Sequence, residues 1–382
     1  MWFLQTDTLL LLTLLCFCFG AVSRFAKDRY PKVLRLLPLA ELGFLAYAAP
    51  VFTLFYAGYI LLTWALVLLL RAVKRGRGPV FAVLCALCCA PLVLSRYPQL
   101  LPVPGLAWIG IAYNMLKAID VLYYEYFSGE KAGFEVYGNY MLFLPVLTAG
   151  PVFRYRDFLR TWQRPAVLSV QRAVEGVKRI IRGLFQKVVL SALALSLLTY
   201  LTDLPLCWYR SALIPLVSLG VLYFDMAGYA SIAIGMGHLM GIAVPENFKK
   251  PFQCASFTQF WRNWHVTVSD WIREHVYILF QKKKLSKWHG AAISMAVMVI
   301  MGIWHGFTVL FFVDGILLGC FLAFEGIFGL GTVNRRKTPG WLFRLRCWSV
   351  TYLFAMNSMI FTLSTEQIGA VLRGFLTLAG GA

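Results

Sequence analysis

Charged residues are scarce in this sequence, and acidic residues are the scarcest of them. Only 14% of the 382 residues are Asp, Glu, Lys or Arg, and 17 residues are acidic, whereas 60% are hydrophobic. Soluble domains carry roughly 25% charged and about 45–50% apolar residues, so this composition excludes an ordinary water-soluble domain. The sequence therefore predicts a protein with many membrane-spanning segments.

Common catalytic and metal-binding signatures are also missing. The chain has no G-x-S-x-G, Walker, H-E-x-x-H or Rossmann motif, and no solenoid repeat or low-complexity segment. Its nine cysteines fall mostly in apolar runs. The C-x-x-C at 85–88 lies inside a predicted membrane helix with no second pair nearby, so packing explains it better than metal binding. We expect no metal site and no disulfide framework.

Apolar runs of spanning length recur along the whole sequence. They lie near 6–23, 36–49, 51–70, 79–95, 104–122, 137–152, 183–202, 211–244, 289–306, 307–330 and 345–363. Prolines such as Pro50 and Pro151 interrupt several runs, so some are expected to be re-entrant and covered by protein or by a water-filled cavity. The predicted fold class is an all-α polytopic membrane protein with roughly ten or more transmembrane helices, organised as one domain over 1–382.

Positive charge is concentrated in short segments. The formal net charge is +19, and Lys and Arg cluster at 24–35, 71–78, 154–187, 282–287 and 335–346. Basic loops mark the cytoplasmic side of a membrane protein, contact anionic lipids or dock an acidic soluble partner. The residues alone leave these alternatives open. No recognised nucleic-acid-binding module accompanies the charge, so we expect no nucleic-acid partner.

Polar residues gather between 224 and 314. The segment 224–252 opens with Asp225 in apolar surroundings and is rich in glycine, which allows close helix approach or unwound backbone. We expect a broken helix here, with Asp225 buried and structural rather than catalytic. An unpaired charge in hydrocarbon costs at least about 2.5–3.5 kcal/mol on insertion scales, so its expected partners are backbone amides or a basic side chain.

The following segment, 257–284, is too charged to span lipid but keeps large apolar side chains at helical spacing. This pattern predicts one amphipathic helix with an aromatic face, suited to a membrane interface or to the floor of a funnel. Asn263 and His265 lie beside the tryptophans of that face. For His265, a structural role and a functional role are equally compatible with the pattern.

Two of the five histidines share the letters Trp-His-Gly but differ in position. His289 follows a lysine run and is expected at the headgroup level, whereas His305 lies 16 residues further along an apolar helix. At 1.5 Å per residue this is about 24 Å deeper. Intramembrane ionisable residues usually face a cavity and mark a functional path, although a hydrogen bond to a neighbouring helix is the simpler alternative. A neutral imidazole at this depth suits removal of a proton from an attacking hydroxyl.

Four stretches together resemble the bacterial branch of the membrane-bound O-acyltransferase family. The stretches FWRNWHVTVSDWIREHVYI (260–278) and GIWHG (302–306) resemble the family's two histidine motifs, and 143–158 and 223–252 resemble two further blocks. The match is colinear over at least 143–314. Within the branch, AGPVFRYRDF and PENFKKPF look most like the teichoic acid D-alanylation type. The rival is the alginate O-acetylation type, whose RDYLYIPLGG continuation is replaced here by REHVYILFQKKK.

The resemblance implies a ring of helices around a central funnel that holds two catalytic histidines. His305 would act as the general base, and His265 would orient or polarise a substrate. The implied lining of the substrate tunnel is Trp304, Trp264, Asn263, Gly302 and Gly306. Two departures from the family motif, Thr267 and the Glu274-His275 pair, weaken inference about the donor.

The resemblance also implies partners but no bound cofactor. The acyl donor would be a D-alanyl phosphopantetheine thioester on an acidic carrier protein that docks from the cytoplasm. The expected docking residues are Ile278, Leu279, Phe280, Lys282, Lys283 and Lys284. Membrane lipids, and either an extracytoplasmic partner protein or teichoic acid, complete the expected partners in the bacterial cell membrane. The alternatives are an O-acetyltransferase for an exported polysaccharide, a transporter and a non-catalytic scaffold.

Overall fold

The computed structural model describes residues 6–95, 110–276 and 286–377, and within these ranges the regular structure is helical, without β-strands. The predicted all-α fold class is therefore confirmed. The helices before residue 165 are α1 (Thr6–Phe25), α2 (Tyr30–Leu34), α3 (Leu37–Ala48), α4 (Pro50–Ala72), α5 (Arg77–Ser95), α6 (Ile111–Ser128), α7 (Phe134–Leu142) and α8 (Tyr155–Gln163).

The later helices include the longest of the described chain. They are α9 (Val170–Leu184), α10 (Ser191–Asp203), α11 (Trp208–Met240), α12 (Phe257–Trp261), α13 (Val266–His275), α14 (Lys287–His305), α15 (Val309–Phe328), α16 (Gly340–Ser358) and α17 (Thr365–Gly374). A π-helical stretch, Phe185–Leu190, joins α9 to α10.

Seven helical stretches of the described ranges are long and apolar enough to cross a bilayer: α1, α4, α5, α9 continued into α10, α11, α14 and α15. The multi-span prediction is confirmed, but fewer segments qualify than hydropathy suggested. Helices α3 and α7 are too short, with 12 and nine residues, whereas α6 has 18 residues but contains Lys117, Asp120 and Glu125. A spanning helix needs about 20 residues.

The chain's internal contacts divide it into two compact units. The first comprises Met1–Ile181 and Ala230–Pro245, and the second comprises Arg182–Tyr229 and Glu246–Ala382. The organisation of the whole chain as one domain around a central funnel stays a prediction.

Buried carboxylates in the first unit are closed into hydrogen-bond networks. Glu125 accepts hydrogen bonds from Arg71 Nε at 2.9 Å and from the Ala132 N–H at 2.6 Å. Asp120 accepts from the Tyr155 N–H. Because buried charges are tolerated only when paired or hydrogen-bonded, these acids hold the unit's helices together.

Helix α11 runs unbroken through the glycine-rich segment, so the expectation of a broken helix is wrong. It ends at Met240, where Gly241 takes the left-handed backbone conformation at φ 72°. The glycines permit close packing instead. A Cβ at Gly228 would lie 2.7 Å from both the Gly183 carbonyl oxygen and Lys187 Cβ.

Asp225, on α11 in the second unit, forms an ion pair with Lys187 of the π-helical stretch. The expected basic partner is present, but the expected burial of Asp225 is wrong. The Lys187 side chain is 6% exposed and the Asp225 side chain is 45% exposed. The carboxylate thus neutralises a buried ammonium from the accessible side, and its structural role stays a prediction.

The predicted single amphipathic helix of 257–284 is also wrong, because two short helices occupy its described part. Helix α12 ends at Trp261 and α13 begins at Val266. Between them His265 adopts φ 44°, in the left-handed region that non-glycine residues rarely enter. The break turns the His265 side chain away from a continuous helical stripe.

Helices α14 and α15 pack at unusually short range in the second unit. A Cβ at Gly302 would lie 2.1 Å from the Phe311 carbonyl oxygen, and one at Gly315 would lie 2.6 Å from the Met298 carbonyl oxygen. Small residues allow helix backbones to approach this closely. This contact fixes the end of α14, where His305 is the last helical residue.

Candidate functional site

One cavity of about 220 Å³ in the second unit brings both predicted catalytic histidines together. Its lining is mostly apolar and aromatic. It comprises Leu222, Met226, Trp261, Trp264, His265, Met298, Met301, Gly302, His305, Asp314, Leu318, Phe354, Asn357 and Phe361. A small, largely apolar cavity with a few convergent polar groups is the usual form of a binding or active site.

His265 is held in place by the segment that follows α11. The Val266 N–H donates to the Asn247 carbonyl oxygen at 2.8 Å. The side-chain oxygen of Asn247 lies 3.0 Å from His265 Nδ1 and accepts from Thr267 Oγ1 at 2.8 Å. Two chain segments that are distant in sequence therefore fix both the backbone and the ring of this histidine.

These contacts determine which nitrogen of His265 carries the proton. Asn247 Oδ1 is an acceptor, so Nδ1 must be the protonated nitrogen that donates to it. The assignment of oxygen to this position agrees with the Thr267 backbone N–H, which also points at it at 3.4 Å. In this neutral tautomer Nε2 carries the lone pair and can accept a hydrogen bond.

Burial keeps the His265 ring neutral. The residue is 6% exposed. Burial, reinforced by the neighbouring His305, lowers the pKa of His265 to about 3. Desolvation disfavours the charged form of an imidazole, which accounts for the direction of this change.

His305 occupies a different position, at the carboxyl end of α14, and is half-buried. Its ring packs edge-to-face against Trp304 at 4.8 Å and Phe361 at 5.0 Å between ring centroids. Phe311 of α15 lies 6.2 Å away on the same basis. Aromatic rings thus restrict the orientation of His305 while it faces the cavity.

An acidic residue, Asp314 of α15, also lines this cavity and is 3% exposed. It forms a side-chain hydrogen bond with Asn357, whose amide donates to the carboxylate. Its Oδ1 atom has no hydrogen-bond partner among the described residues. Such an acid in an apolar setting is expensive and is by default a sign of function.

A second, outer cavity of about 540 Å³ adjoins the first in the same unit. The two share Trp261 and Met298 in their linings. The outer cavity is also lined by Arg262, by Lys287 and by Arg273, whose guanidinium is ion-paired with Asp270 at 2.6 Å. Cationic side chains of this cavity therefore lie next to the cavity that holds the histidines.

Some of the predicted tunnel residues lie outside the inner cavity's lining. Gly306 packs against α15, where an added Cβ would lie 2.3 Å from the Phe311 ring. Trp304 contacts the His305 ring. Asn263 Nδ2 donates to the Gln259 carbonyl at 2.7 Å and so closes the end of α12.

The predicted lining residues Trp264 and Gly302 do line the inner cavity. The predicted carrier-docking residues, Ile278, Leu279, Phe280, Lys282, Lys283 and Lys284, lie outside the described residues.

Two residues of the site were missed in the sequence. Asp314 directly follows the long stretch without Asp, Glu, Lys or Arg that contains His305, so an isolated acid in an apolar run was the available signal. Asn247 lies in the Pro-Glu-Asn turn, but nothing local indicates that this side chain reaches a histidine 18 residues away.

Comparison with known proteins gives one family and two kinds of relative. The family model of the membrane-bound O-acyltransferases matches residues 128–363. The teichoic acid D-alanyltransferase of Bacillus subtilis is 28% identical over 281 residues, covering 66% of this chain and 70% of that protein. The one from Streptococcus thermophilus is 32% identical over 235 residues, or 56% and 55% of the two chains.

Acetyltransferases match about as well. The probable alginate O-acetylase of Pseudomonas aeruginosa is 27% identical over 284 residues, which is 70% of this chain and 54% of that protein. The chain thus spans about half the length of the alginate relatives it matches. Since the family model covers more than half of the chain and includes both histidines, this protein belongs to the membrane-bound O-acyltransferase family.

Proposed function

We propose that this protein transfers an acyl group from a carrier-protein thioester to a hydroxyl at the cell membrane, and that the group is D-alanyl and the acceptor a teichoic acid. The observation that carries the proposal is the inner cavity, where His265 and His305 meet in a mostly apolar lining. Both histidines lie in the region that matches the family model. Imidazole performs this proton transfer without leaving a permanent charge in the site.

We assign the general base to His305. A general base works best when its pKa lies near the working pH. His265, whose pKa is lowered to about 3, is a weak proton acceptor at neutral pH. His265 Nε2 instead accepts a hydrogen bond from a substrate N–H or O–H and positions it.

The acyl transfer needs no proton acceptor or donor other than His305. His305 takes the proton from the acceptor hydroxyl as its oxygen forms a bond to the thioester carbonyl carbon. The tetrahedral intermediate collapses, the carbon–sulfur bond breaks, and the proton passes from the imidazolium to the leaving sulfur. The products are an ester and a free thiol, and His305 is neutral again.

The outer cavity supports a phosphopantetheine donor. The phosphate of that arm is anionic, and Arg262 and Lys287 line this cavity beside Arg273, whose charge is shared with Asp270. The thioester end would pass Trp261 and Met298, which belong to both cavities, to reach the histidines. No bound cofactor takes part in this scheme.

The acidic carrier is proposed to dock on the segment between α13 and α14, through Ile278, Leu279, Phe280 and Lys282 to Lys284. Replacing the three lysines with Glu should abolish carrier binding, since like charges then face each other. Wild-type binding should weaken as salt rises, because exposed charges are screened within about 8–10 Å at physiological ionic strength. Unchanged binding would remove this surface from the proposal.

The matched control for this surface is the basic cluster Arg335, Arg336 and Lys337. Changing these three residues to Glu alters the net charge by the same amount in another loop. Carrier binding by this variant should stay close to wild type. Equal losses in both triple variants would indicate a nonspecific effect of net charge.

The decisive assay uses the purified chain in lipid nanodiscs. A carrier loaded with radiolabelled D-alanine is offered with poly(glycerol phosphate), and the same carrier loaded with acetate is offered with alginate. Label in the polymer is expected in the first reaction. Label only in alginate would favour the O-acetyltransferase alternative, and movement of solute across a membrane without covalent transfer would favour a transporter.

A further inference from the structure

The inner cavity contains one carboxylate that the proposed chemistry does not use, Asp314. Asp314 is 97% buried, given its exposure of 3%. Its carboxylate accepts a hydrogen bond from Asn357, but Oδ1 has no partner among the described residues. The cavity lining contains neither Lys nor Arg, so no permanently charged cation of the lining pairs with this acid.

We propose that Asp314 binds the ammonium group of an aminoacyl donor and so selects an aminoacyl thioester over an acetyl thioester. This inference rests on the proposed acyl transfer and specifies its substrate class. A buried carboxylate is strongly favoured when a cationic group hydrogen-bonds to it. An acetyl group offers neither charge nor a donor, and it would leave Oδ1 unpartnered.

The rest of the cavity fits a small cationic acyl group. Aromatic faces of Trp261, Trp264 and Phe354 line it, and such faces attract cations within about 6 Å. The volume of about 220 Å³ is small and suits a short side chain. His305 lines the same cavity, so an acyl group anchored by its ammonium at Asp314 would present its carbonyl within the site.

A second acid on α15 shows what a structural carboxylate looks like in this fold. Glu325 lies 11 residues beyond Asp314 and is also buried. It accepts hydrogen bonds from the N–H groups of Phe257 and Thr258 at 2.7 and 2.8 Å, and from Thr258 Oγ1 at 2.7 Å. Glu325 is thus fully occupied with anchoring α12, whereas Asp314 faces the cavity with one oxygen available.

The experiment compares three small probes: the D-alanyl, D-lactyl and acetyl thioesters of phosphopantetheine. D-lactyl replaces the ammonium of D-alanyl with a hydroxyl at nearly constant size. Wild type is expected to transfer D-alanyl fastest. Asp314→Asn, which removes the charge and keeps the volume, should lower the D-alanyl to D-lactyl rate ratio by about 10- to 100-fold, as expected for one lost hydrogen bond to a charged group.

The ratio of the two transfer rates does not depend on the amount of folded protein, because both rates fall together in a poorly folded variant. Asp314→Glu keeps the charge and should retain most of the preference for D-alanyl. The matched control is Glu325→Gln, an acid-to-amide change on the same helix, which should lower thermal stability and leave the ratio unchanged.

The possible outcomes separate this inference from the proposed function. An unchanged ratio in Asp314→Asn, or the same change in ratio for Glu325→Gln, would overturn the role of Asp314 alone. Faster transfer of acetyl than of D-alanyl by wild type would also overturn it while leaving acyl transfer in place. If wild type transferred none of the three thioesters, the proposed function would fall and this inference with it.

Discussion

The two ends of α14 carry the same three letters in opposite surroundings. At the amino end, Trp288, His289 and Gly290 lie in the first turn, and His289 is exposed. Ser286 caps this end, and its hydroxyl lies 2.7 Å from His289 Nδ1. At the carboxyl end, His305 is enclosed by aromatic rings and faces a cavity with a second histidine.

The difference shows that a histidine's role depends on its environment rather than on its neighbours in sequence. The exposed ring of His289 lies beside a serine hydroxyl and lines neither of the two cavities described above. The enclosed ring sits where a low dielectric strengthens every polar interaction. Substitutions at the two ends of α14 test this difference most directly, and other pairs of polar residues extend it.

The largest expected effect separates His305 from His289. His305→Ala should fold, bind the carrier and lose about 10²–10⁴-fold in transfer rate, the usual contribution of a positioned general base. His289→Ala should keep nearly full activity, because its ring is exposed and lies outside the cavity that holds His305. Transfer rates of both variants are measured in the same nanodisc preparation. Equal defects in the two variants, or none in His305→Ala, would refute the assignment.

His265→Ala belongs in the same experiment as an intermediate case. It removes a positioning group and not the base, so its defect should be milder than that of His305→Ala and should depend on the substrate. A larger loss of transfer rate in His265→Ala than in His305→Ala would indicate that His265 is the general base and His305 the positioning residue.

The glycines of α14 give a second contrast, in stability rather than in rate. Gly302→Ala would place a Cβ 2.1 Å from the Phe311 carbonyl oxygen, whereas a Cβ at Gly290 meets nothing within 4 Å. Gly302→Ala should therefore destabilise the protein by about 1–3 kcal/mol or more, as overpacking does. Gly290→Ala should be neutral or stabilise by about 0.5–1 kcal/mol, since alanine favours a helix. Thermal unfolding midpoints measure both, and similar midpoints would contradict the close α14–α15 contact.

Composition and short motifs were sufficient to predict much of this protein. Long apolar runs predict spanning helices because helix formation in lipid depends on local sequence, and the depth of His305 follows from its distance along one helix. Three features escaped prediction because they depend on contacts between distant segments. Asn247 fixes the left-handed backbone of His265. The glycines of α11 pack against a neighbouring helix instead of breaking their own. Asp314 can be identified as a site residue only from the cavity that it lines.

The contact between Asn247 and His265 predicts a change in pH dependence. In wild type the pKa of His265 is lowered to about 3, so the ring stays neutral as pH falls through the working range. Asn247→Asp places a carboxylate where Oδ1 now lies 3.0 Å from Nδ1, which favours the imidazolium and raises the pKa of His265. Transfer by the variant should therefore decline at a higher pH than transfer by wild type, as acid is added.

Transfer rates measured between about pH 5 and pH 9 test whether the variant loses activity at the higher pH. Asn247→Ala serves as the control, because it removes the acceptor without adding charge and should lower the rate at every pH. Parallel profiles for wild type and Asn247→Asp would show that Asn247 does not control the protonation of His265.

The smallest expected effect concerns the ion pair of Lys187 and Asp225, where the two partners differ in exposure. Asp225→Ala leaves a cation that is 6% exposed without its counter-charge, whereas Lys187→Met leaves an acid that is 45% exposed. Asp225→Ala should therefore lower the thermal midpoint more than Lys187→Met does. The cost should be about 1–2 kcal/mol, less than the roughly 3–5 kcal/mol of a fully buried pair, because one of the two partners is only partly buried.

The double variant, Asp225→Ala with Lys187→Met, should recover most of this stability, since no uncompensated charge remains buried. Thermal midpoints and transfer rates per folded molecule are measured for all four proteins. The rates should stay near wild type, because neither side chain lines the cavity that holds the histidines. A normally folded Asp225→Ala that lost all turnover would move this pair from a structural role into the catalytic site, and the contrast between exposed and enclosed polar groups would then need revision.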